Sequence, residues 1–256
     1  MESVWTRRSP DLSRNIEGAT AVITGAGSGL GRALAVEAAS RGMRLVLIDA
    51  STEGLRQTVD QLPQEAVLGS EVVDVRSPEG LRSIAAGLAS PPLLVFANAG
   101  VLSRASLMDQ EADDIRRILE INVMGAVHTI QAFAPAMLAA DRPSRIIITG
   151  SQGSFVSFPG LGAYGASKHA VLAIAETLAE EWAGAPVSVA VLAPGGVATA
   201  ILGAEPSMIA DRLMPPTTAA RLAFEGALDG RFLISTHADL AALAAQRASN
   251  VARALA

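Results

Sequence analysis

Short apolar runs alternate with helix-length segments along almost the whole chain. The predicted strands are Thr20–Thr24, Arg44–Ile48, Glu71–Val75, Leu93–Ala97, Arg145–Thr149, Val187–Leu192 and Phe232–Ser235. The predicted helices are Leu30–Arg41, Thr52–Leu62, Pro78–Leu88, Asp113–Ala139, Ala163–Ala183 and Thr217–Leu228. Most of the runs are apolar throughout, which is typical of strands buried on both faces of a parallel sheet. The alternation therefore predicts an α/β fold, with a doubly wound parallel sheet of about seven strands and helices on both faces.

Composition excludes several function classes. The chain has 256 residues, of which 50% are hydrophobic, and a mean hydropathy of +0.36, so it is not disordered. A net charge of −5 argues against a general nucleic-acid binder. The absence of cysteine excludes disulfides, thiolate zinc sites and a cysteine nucleophile. Three histidines that lie far apart in sequence do not predict a metal site.

The two ends of the chain differ in pattern from its middle. Residues 1–18 are polar and contain no apolar run of the about 7–15 residues that a secretory signal needs. We therefore expect a flexible N-terminal tail, a single domain over residues 19–256 and a cytoplasmic location. No segment approaches the ~20 uninterrupted apolar residues of a membrane span. The segment His237–Ala256 has a helical pattern and predicts an amphipathic helix that covers a sheet edge.

A weakly patterned insertion, Thr199–Pro216, follows the sixth predicted strand. Ligands of doubly wound sheets bind beyond the carboxyl ends of the strands. The insertion is therefore placed to act as a lid over a substrate, although an ordinary surface loop has the same pattern.

A glycine-rich turn joins the first strand to the first helix. It contains Gly25, Gly27, Ser28, Gly29, Leu30 and Gly31. Small residues let the backbone approach a pyrophosphate, and the free amides of the following helix N-terminus attract it. Placed between a strand and a helix, this turn predicts a dinucleotide site in a Rossmann-like fold.

An acidic residue, Asp49, ends the second strand. A carboxylate there accepts hydrogen bonds from the adenosine ribose and repels a 2′-phosphate. An arginine at Ser28 or Ala50 would favour NADP, and neither position is basic. The sequence thus favours NAD, with NADP left open by Arg32 and Arg44 nearby.

The only tyrosine and the only lysine of the chain, Tyr164 and Lys168, are four residues apart on a predicted helix. That spacing places both side chains on one helix face. A nearby ammonium favours a phenolate, so we expect Lys168 to lower the pKa of Tyr164. Such a phenol can exchange a proton with an alcohol or carbonyl oxygen while hydride moves to or from a nicotinamide.

Two further polar residues fit that chemistry. Ser151 follows the fifth strand, where its hydroxyl can orient a substrate oxygen. Asn122 interrupts an apolar helical stretch, and a buried amide needs hydrogen-bond partners. An Asn122 bridged to water would link Lys168 to solvent as a proton path.

At these residues the chain resembles the short-chain dehydrogenase/reductase family, in its single-domain branch of about 250 residues. The resemblance extends from Ala19 to about Ser235. Beyond the glycine turn, it rests on Asp74-Val75, Asn98-Ala99-Gly100, Asn122, Ser151, Tyr164 with Lys168, and Pro194-Gly195 with Val197 and Thr199. Two departures are Ala97, where an asparagine is frequent, and Gly196, which is expected to loosen its loop.

The resemblance implies roles for these residues. Asp74 and Val75 would bind the adenine, and Asn98, Ala99 and Gly100 would line the cofactor cleft.

The segment Pro194–Thr199 would contact the nicotinamide carboxamide. Tyr164 would be the general acid/base, Lys168 its activator, Ser151 the orienting residue and Asn122 the anchor of a proton relay. A homodimer or homotetramer is also implied.

The sequence therefore predicts an NAD(H)-dependent oxidoreductase that interconverts a hydrophobic secondary alcohol and its ketone. The expected apolar wall comprises Phe155, Val156, Phe158, Leu161, Ile201, Leu202, Met208 and Met214. Arg104 or Arg212 could reach a substrate carboxylate. The alternative is a catalytically silent dinucleotide-binding protein that acts through partners. A methyltransferase does not account for Tyr164 and Lys168.

Overall fold

The computed structural model describes residues 3–202 and 213–255. Within these residues the strands are β1 (Thr20–Thr24), β2 (Arg44–Asp49), β3 (Val67–Val72), β4 (Leu94–Ala97), β5 (Ser144–Thr149), β6 (Val187–Ala193) and β7 (Leu233–Ser235). They form one parallel sheet in the order β3-β2-β1-β4-β5-β6-β7. The predicted α/β fold is confirmed. The strand order reverses between β1 and β4, which opens a crevice at their carboxyl ends.

Helices cover both faces of this sheet. They are α1 (Gly29–Ser40), α2 (Thr52–Val59), α3 (Pro78–Ala86), α4 (Ala112–Leu119), α5 (Gly125–Ala139), α6 (Gly162–Glu181), α7 (Pro216–Leu228) and α8 (Leu240–Leu255). Successive side chains of β1 enter different cores: Ile23 packs with α1 and α7, and Val22 packs with α5 and α6. Burial on both faces explains why this strand is apolar throughout.

The third strand differs from its prediction. It was expected at Glu71–Val75 but lies at Val67–Val72, and it pairs only with β2. An edge strand does not need a continuous apolar run, and Val72 is 52% exposed. The last residues of the predicted strand, 73–75, therefore follow β3 and place Asp74 and Val75 in the crevice.

The predicted helix Asp113–Ala139 is divided in the structure. A π-helical turn, Glu120–Met124, separates α4 from α5. The stretch Ala112–Ala139 is long and apolar enough to cross a membrane by length and composition alone. In the structure, however, Ile130, Phe133 and Met137 of α5 are buried in the core beneath the sheet.

The N-terminal segment is packed, where a loose tail was expected. Leu12 is 1% exposed in the core, and its amide donates to the Leu228 carbonyl at 3.0 Å. The buried guanidinium of Arg145 donates to the Pro10 carbonyl at 3.0 Å. A buried cation needs such acceptors, and that requirement holds the segment in place. The apolar residues Val4, Trp5, Leu12 and Ile16 are too scattered to give a periodic signal in the sequence.

The C-terminal helix also differs from its expectation. Within Leu240–Leu255 only Leu240 is buried, and Val251 and Leu255 are 52% and 84% exposed. The helix therefore does not cover a sheet edge. Its contact with the rest of the chain lies at its N-terminal half, where Arg247 donates to the Phe155 carbonyl at 3.1 Å.

Candidate active site

A cleft of about 760 Å³ lies at the carboxyl ends of the central strands. Most of the residues that the sequence singles out line it: Gly25, Ser28, Gly29, Leu30, Gly31, Asp49, Asp74, Val75, Asn98, Ala99, Gly100, Ser151, Tyr164, Lys168, Pro194, Gly195, Val197 and Thr199. Gly27 and Asn122 lie behind this surface and touch residues that form it.

The glycine turn is shaped by contacts that exclude side chains. Gly25 has φ +68°, a conformation that residues with a Cβ rarely adopt. A Cβ on Gly31 would lie 1.9 Å from the Gly25 carbonyl oxygen, so α1 can start this close to the turn only with glycine there. The side chain of the N-cap residue Ser28 makes no hydrogen bond to the first-turn amides of α1, which begins at the cleft. These amides and the helix dipole suit a pyrophosphate.

Asp49 lies directly behind the turn. Its carboxylate accepts from the Gly27 amide at 2.8 Å and from the Ser51 amide at 2.8 Å. Arg32 instead bonds to the Gly27 carbonyl and to the Thr58 hydroxyl. Arg32, the basic residue nearest the turn in sequence, is therefore hydrogen-bonded to α2 and to the turn itself.

The expected adenine end contains an ion pair that the sequence did not reveal. The carboxylate of Asp74 accepts from the Arg76 guanidinium at 2.7 Å, and Arg76 also lines the cleft. This hydrogen bond lowers the pKa of Asp74 below its ordinary value. The partner of Asp74 is two residues away, and Arg76 has no periodic or motif signal.

Asn98 joins three strands at the centre of the cleft. Its side-chain amide donates to the Thr24 carbonyl at 3.0 Å, and its amide oxygen accepts from the Thr149 hydroxyl at 3.2 Å. The ends of β1, β4 and β5 are thereby held in register beneath the expected cofactor position.

Tyr164, Ser151 and Lys168 meet at the other end of the cleft. Ser151 and Tyr164 both line the cleft, and the Ser151 hydroxyl is a hydrogen-bonding neighbour that favours the charged form of the phenol and so lowers its pKa. The Lys168 ammonium donates to the Thr149 carbonyl at 2.7 Å and lies 5.6 Å from the centre of the Tyr164 ring. Tyr164 and Lys168 therefore lie on one face of α6, as predicted.

The direction of the Tyr164 pKa differs from the expectation. Burial raises the pKa of Tyr164 above 10.0, and the hydrogen bond from Ser151 lowers it by less. Burial also lowers the pKa of Lys168 to about 8. Desolvation disfavours both charged forms, so in this structure it outweighs the attraction between ammonium and phenolate.

Asn122 occupies the π-helical turn and is 2% exposed. Its amide oxygen accepts from the Val101 amide at 2.8 Å. Its amide nitrogen donates to the Val101 carbonyl at 2.9 Å and to the Ser167 hydroxyl at 3.0 Å. Both donor hydrogens are therefore used within the protein, and this side chain anchors the loop after β4 to α6.

Comparison with known proteins agrees with this geometry. Residues 19–209 match the short chain dehydrogenase family. The chain belongs to the short-chain dehydrogenase/reductase family. It is an oxidoreductase with the fold and motifs described above.

Relatives of this chain include proteins named as dehydrogenases. The 1-deoxy-11-beta-hydroxypentalenate dehydrogenase of Streptomyces avermitilis is 33% identical over 88% of this chain and 87% of its own. The galactitol 2-dehydrogenase (L-tagatose-forming) of Cereibacter sphaeroides is 36% identical over 72% and 73%. A short-chain dehydrogenase/reductase from Burkholderia phymatum, solved in complex with NAD, has a TM-score of 0.84 and 35% identity and covers 92% of this chain and 95% of that one.

The outer wall of the cleft in this short-chain dehydrogenase is only partly the predicted one. Phe158, Leu161 and Ile201 line it. Phe155 packs edge-on against Trp5 instead, with 6.1 Å between ring centres. Its aromatic partner comes from the N-terminal segment, which the sequence placed outside the domain.

Two other predicted wall residues also lie away from the cleft. Val156 does not line it, and Met214 forms a backbone bridge with Val197 at the base of the expected lid. The side chain of Leu202 and residues Met208 and Arg212 lie outside the described residues. Lining residues that the sequence analysis missed include Val101, Leu102, Gln152 and Pro159.

Proposed function

We propose that this protein catalyses the NAD(H)-dependent interconversion of a hydrophobic secondary alcohol and its ketone. The observation that supports this most is the meeting of Tyr164, Ser151 and Lys168 in the cleft that begins at the glycine turn. A proton-exchanging phenol at one end and an anion-binding helix start at the other suit a redox dinucleotide and a carbonyl substrate.

The residues present fit a dinucleotide. Gly31 leaves room where a Cβ would collide with the turn, and the Ser28 side chain does not cap the first-turn amides of α1. When bound, the nicotinamide ring would supply the acceptor or donor of hydride.

Asp49 favours NAD over NADP in this proposal. Its carboxylate lines the cleft at the end of β2, where it would accept from ribose hydroxyls and repel a 2′-phosphate. Arg32 is engaged with Gly27 and Thr58. Arg44 begins β2 and so lies at the opposite end of the strand. The related Burkholderia structure with NAD is consistent with this choice.

Tyr164 would exchange the proton of the reacting oxygen. Because burial raises its pKa, the neutral phenol is the favoured form and can donate to a ketone oxygen. In alcohol oxidation the Tyr164 phenolate would take the hydroxyl proton, and the hydride of the carbon that bears this hydroxyl would pass to the bound nicotinamide. Ser151 would hold the substrate oxygen next to the phenol. Lys168, bonded to Thr149, would stabilise the phenolate once it forms.

The wall of the cleft suits an apolar substrate. Phe158, Leu161 and Ile201 line it, and Phe158 and Ile201 are 41% and 39% exposed. Arg104, which could reach a substrate carboxylate, also lines the cleft. Covering the apolar side chains with an apolar substrate would bury surface worth about 25 cal/mol per Å². The two named relatives are dehydrogenases of hydroxy compounds, one of them a pentalenate.

A panel of secondary alcohols and ketones, assayed with NAD(H) and NADP(H), tests the proposal. We expect turnover with NAD(H), higher for cyclic apolar substrates than for short polar ones. Turnover that is equal or faster with NADP(H) would contradict the cofactor assignment. No turnover despite dinucleotide binding would favour the catalytically silent alternative.

A further inference from the structure

We propose that His237 is a positioning residue for this reaction, which fixes the loop Pro194–Thr199 through the backbone amide of Gly195. The inference rests on the proposed function, because this loop would contact the nicotinamide end of the dinucleotide. His237 is not part of the family resemblance, which ends near Ser235.

The contact between His237 and Gly195 is close and directional. The Gly195 amide donates to the imidazole Nδ1 at 3.1 Å, and the Thr236 hydroxyl lies 2.7 Å from the same nitrogen, to which it also donates. A Cβ on Gly195 would lie 2.8 Å from Cγ and 2.8 Å from Nδ1, so the imidazole can come this close only to a glycine. An amide can only donate, so the bond requires the tautomer with its proton on Nε2.

Met214 already holds the far end of the loop, through backbone hydrogen bonds of 2.9 Å to Gly196 and Ala198. The His237 contact adds an anchor at Gly195. Gly195 and Gly196 follow each other, and two glycines leave the backbone with more freedom than any other pair. Gly195 lines the cleft, whereas His237 does not. The imidazole therefore acts on the cleft only through the position of Gly195.

A second tie joins the same C-terminal segment to the turn that begins at Ser151. The Gln152 side chain donates to the Asp239 carboxylate at 2.7 Å. The backbone amide of Gln152 donates to the Pro194 carbonyl at 2.8 Å. His237 therefore contacts the loop after β6, and Asp239 contacts the turn after β5. These two segments flank the end of the cleft that contains Tyr164.

Two substitutions separate this role from simple packing. His237→Phe keeps a flat ring but removes the acceptor, and His237→Asn keeps an acceptor near the Nδ1 position. We expect His237→Phe to weaken NADH binding about three- to tenfold, the value of one lost hydrogen bond. We expect His237→Asn to stay within about twofold of the wild type, since its acceptor is retained.

Hydrogen exchange of the Gly195 amide, followed by NMR in dinucleotide-free protein, gives a readout that does not depend on activity. We expect protection in the wild type and in His237→Asn, and faster exchange in His237→Phe. If the phenylalanine variant does not fold, His237→Ala removes the same acceptor without adding volume.

The outcomes distinguish this inference from the proposed function. A wild type that binds neither NADH nor NADPH would contradict the proposed function, while the exchange measurement would still test the anchor. A wild type that binds NADH with the same affinity as His237→Phe, with Gly195 equally protected in both, would overturn the role of His237.

Discussion

The Nζ atom of Lys168 lies 5.6 Å from the centre of the Tyr164 ring and donates to the Thr149 carbonyl at 2.7 Å. The ammonium is therefore close enough to stabilise a phenolate but is held by the end of β5. Burial shifts both groups toward their neutral forms. Each residue is the only one of its type in the chain, so each can be titrated directly.

Lys168 is expected to titrate with a pKa of about 8, because burial disfavours its charged form. NMR of protein labelled only in lysine gives one side-chain signal for this measurement. Between about pH 8 and 10.5 the unfolded chain binds more protons at this group than the folded one. Its contribution to stability therefore rises with pH through that window. A midpoint at 10.5 would show that the amine is solvated.

Tyr164 is expected to ionise above pH 10.0 in dinucleotide-free protein. The ultraviolet absorbance of tyrosinate reports this group alone. Ser151→Ala removes the hydrogen bond that favours the phenolate, so the midpoint should rise further. A lower midpoint in the alanine variant would contradict the contact between Ser151 and the phenol.

Asp49→Asn should weaken the preference for NAD. The amide retains an acceptor but loses the charge that repels a 2′-phosphate, so the ratio of kcat/KM for NAD over NADP should fall roughly tenfold. Asp60→Asn is the matched control, because Asp60 is an exposed residue directly after α2 that pairs with Arg56. An unchanged ratio in Asp49→Asn would mean that another group selects the cofactor.

Leu12→Ala should destabilise the fold by about 2–5 kcal/mol, the usual cost of truncating a buried leucine. Leu12 is 1% exposed, and Leu68→Ala is the matched control because Leu68 is 49% exposed. Chemical denaturation measures both free energies of unfolding. Equal small losses would indicate that residues 3–18 form the loose tail that the sequence suggested.

The sequence predicts the parts of the fold that depend on local pattern. The strands β1, β5 and β6 are buried on both faces, and their apolar runs place them within a residue or so. The edge strand β3 has mostly exposed side chains, so its position depends on pairing with β2 instead. The N-terminal segment is held by a hydrogen bond from Arg145. The sequence does not show that this guanidinium is buried and so requires acceptors.

The residues of the site also fall into those that the sequence pattern predicts and those that depend on tertiary contacts. The place of Tyr164 and Lys168 in the cleft could be predicted because each is the only residue of its type and their spacing puts them on one helix face. Ser151 could be predicted because it follows a predicted strand. Arg76 and His237 could not, since each acts on a cleft residue through a contact that only the folded chain creates. The predicted direction of the Tyr164 pKa shift was wrong, because residue spacing indicates that a charge is near but not how deeply the phenol is buried.

Tyr164→Phe tests the central claim most directly, with NADH affinity and turnover measured on the same preparations. We expect NADH affinity within about twofold of the wild type, because the ring is retained, and turnover lower by about 10²–10⁴-fold, because the proton donor is lost. Turnover close to that of the wild type would show that Tyr164 does not exchange the substrate proton.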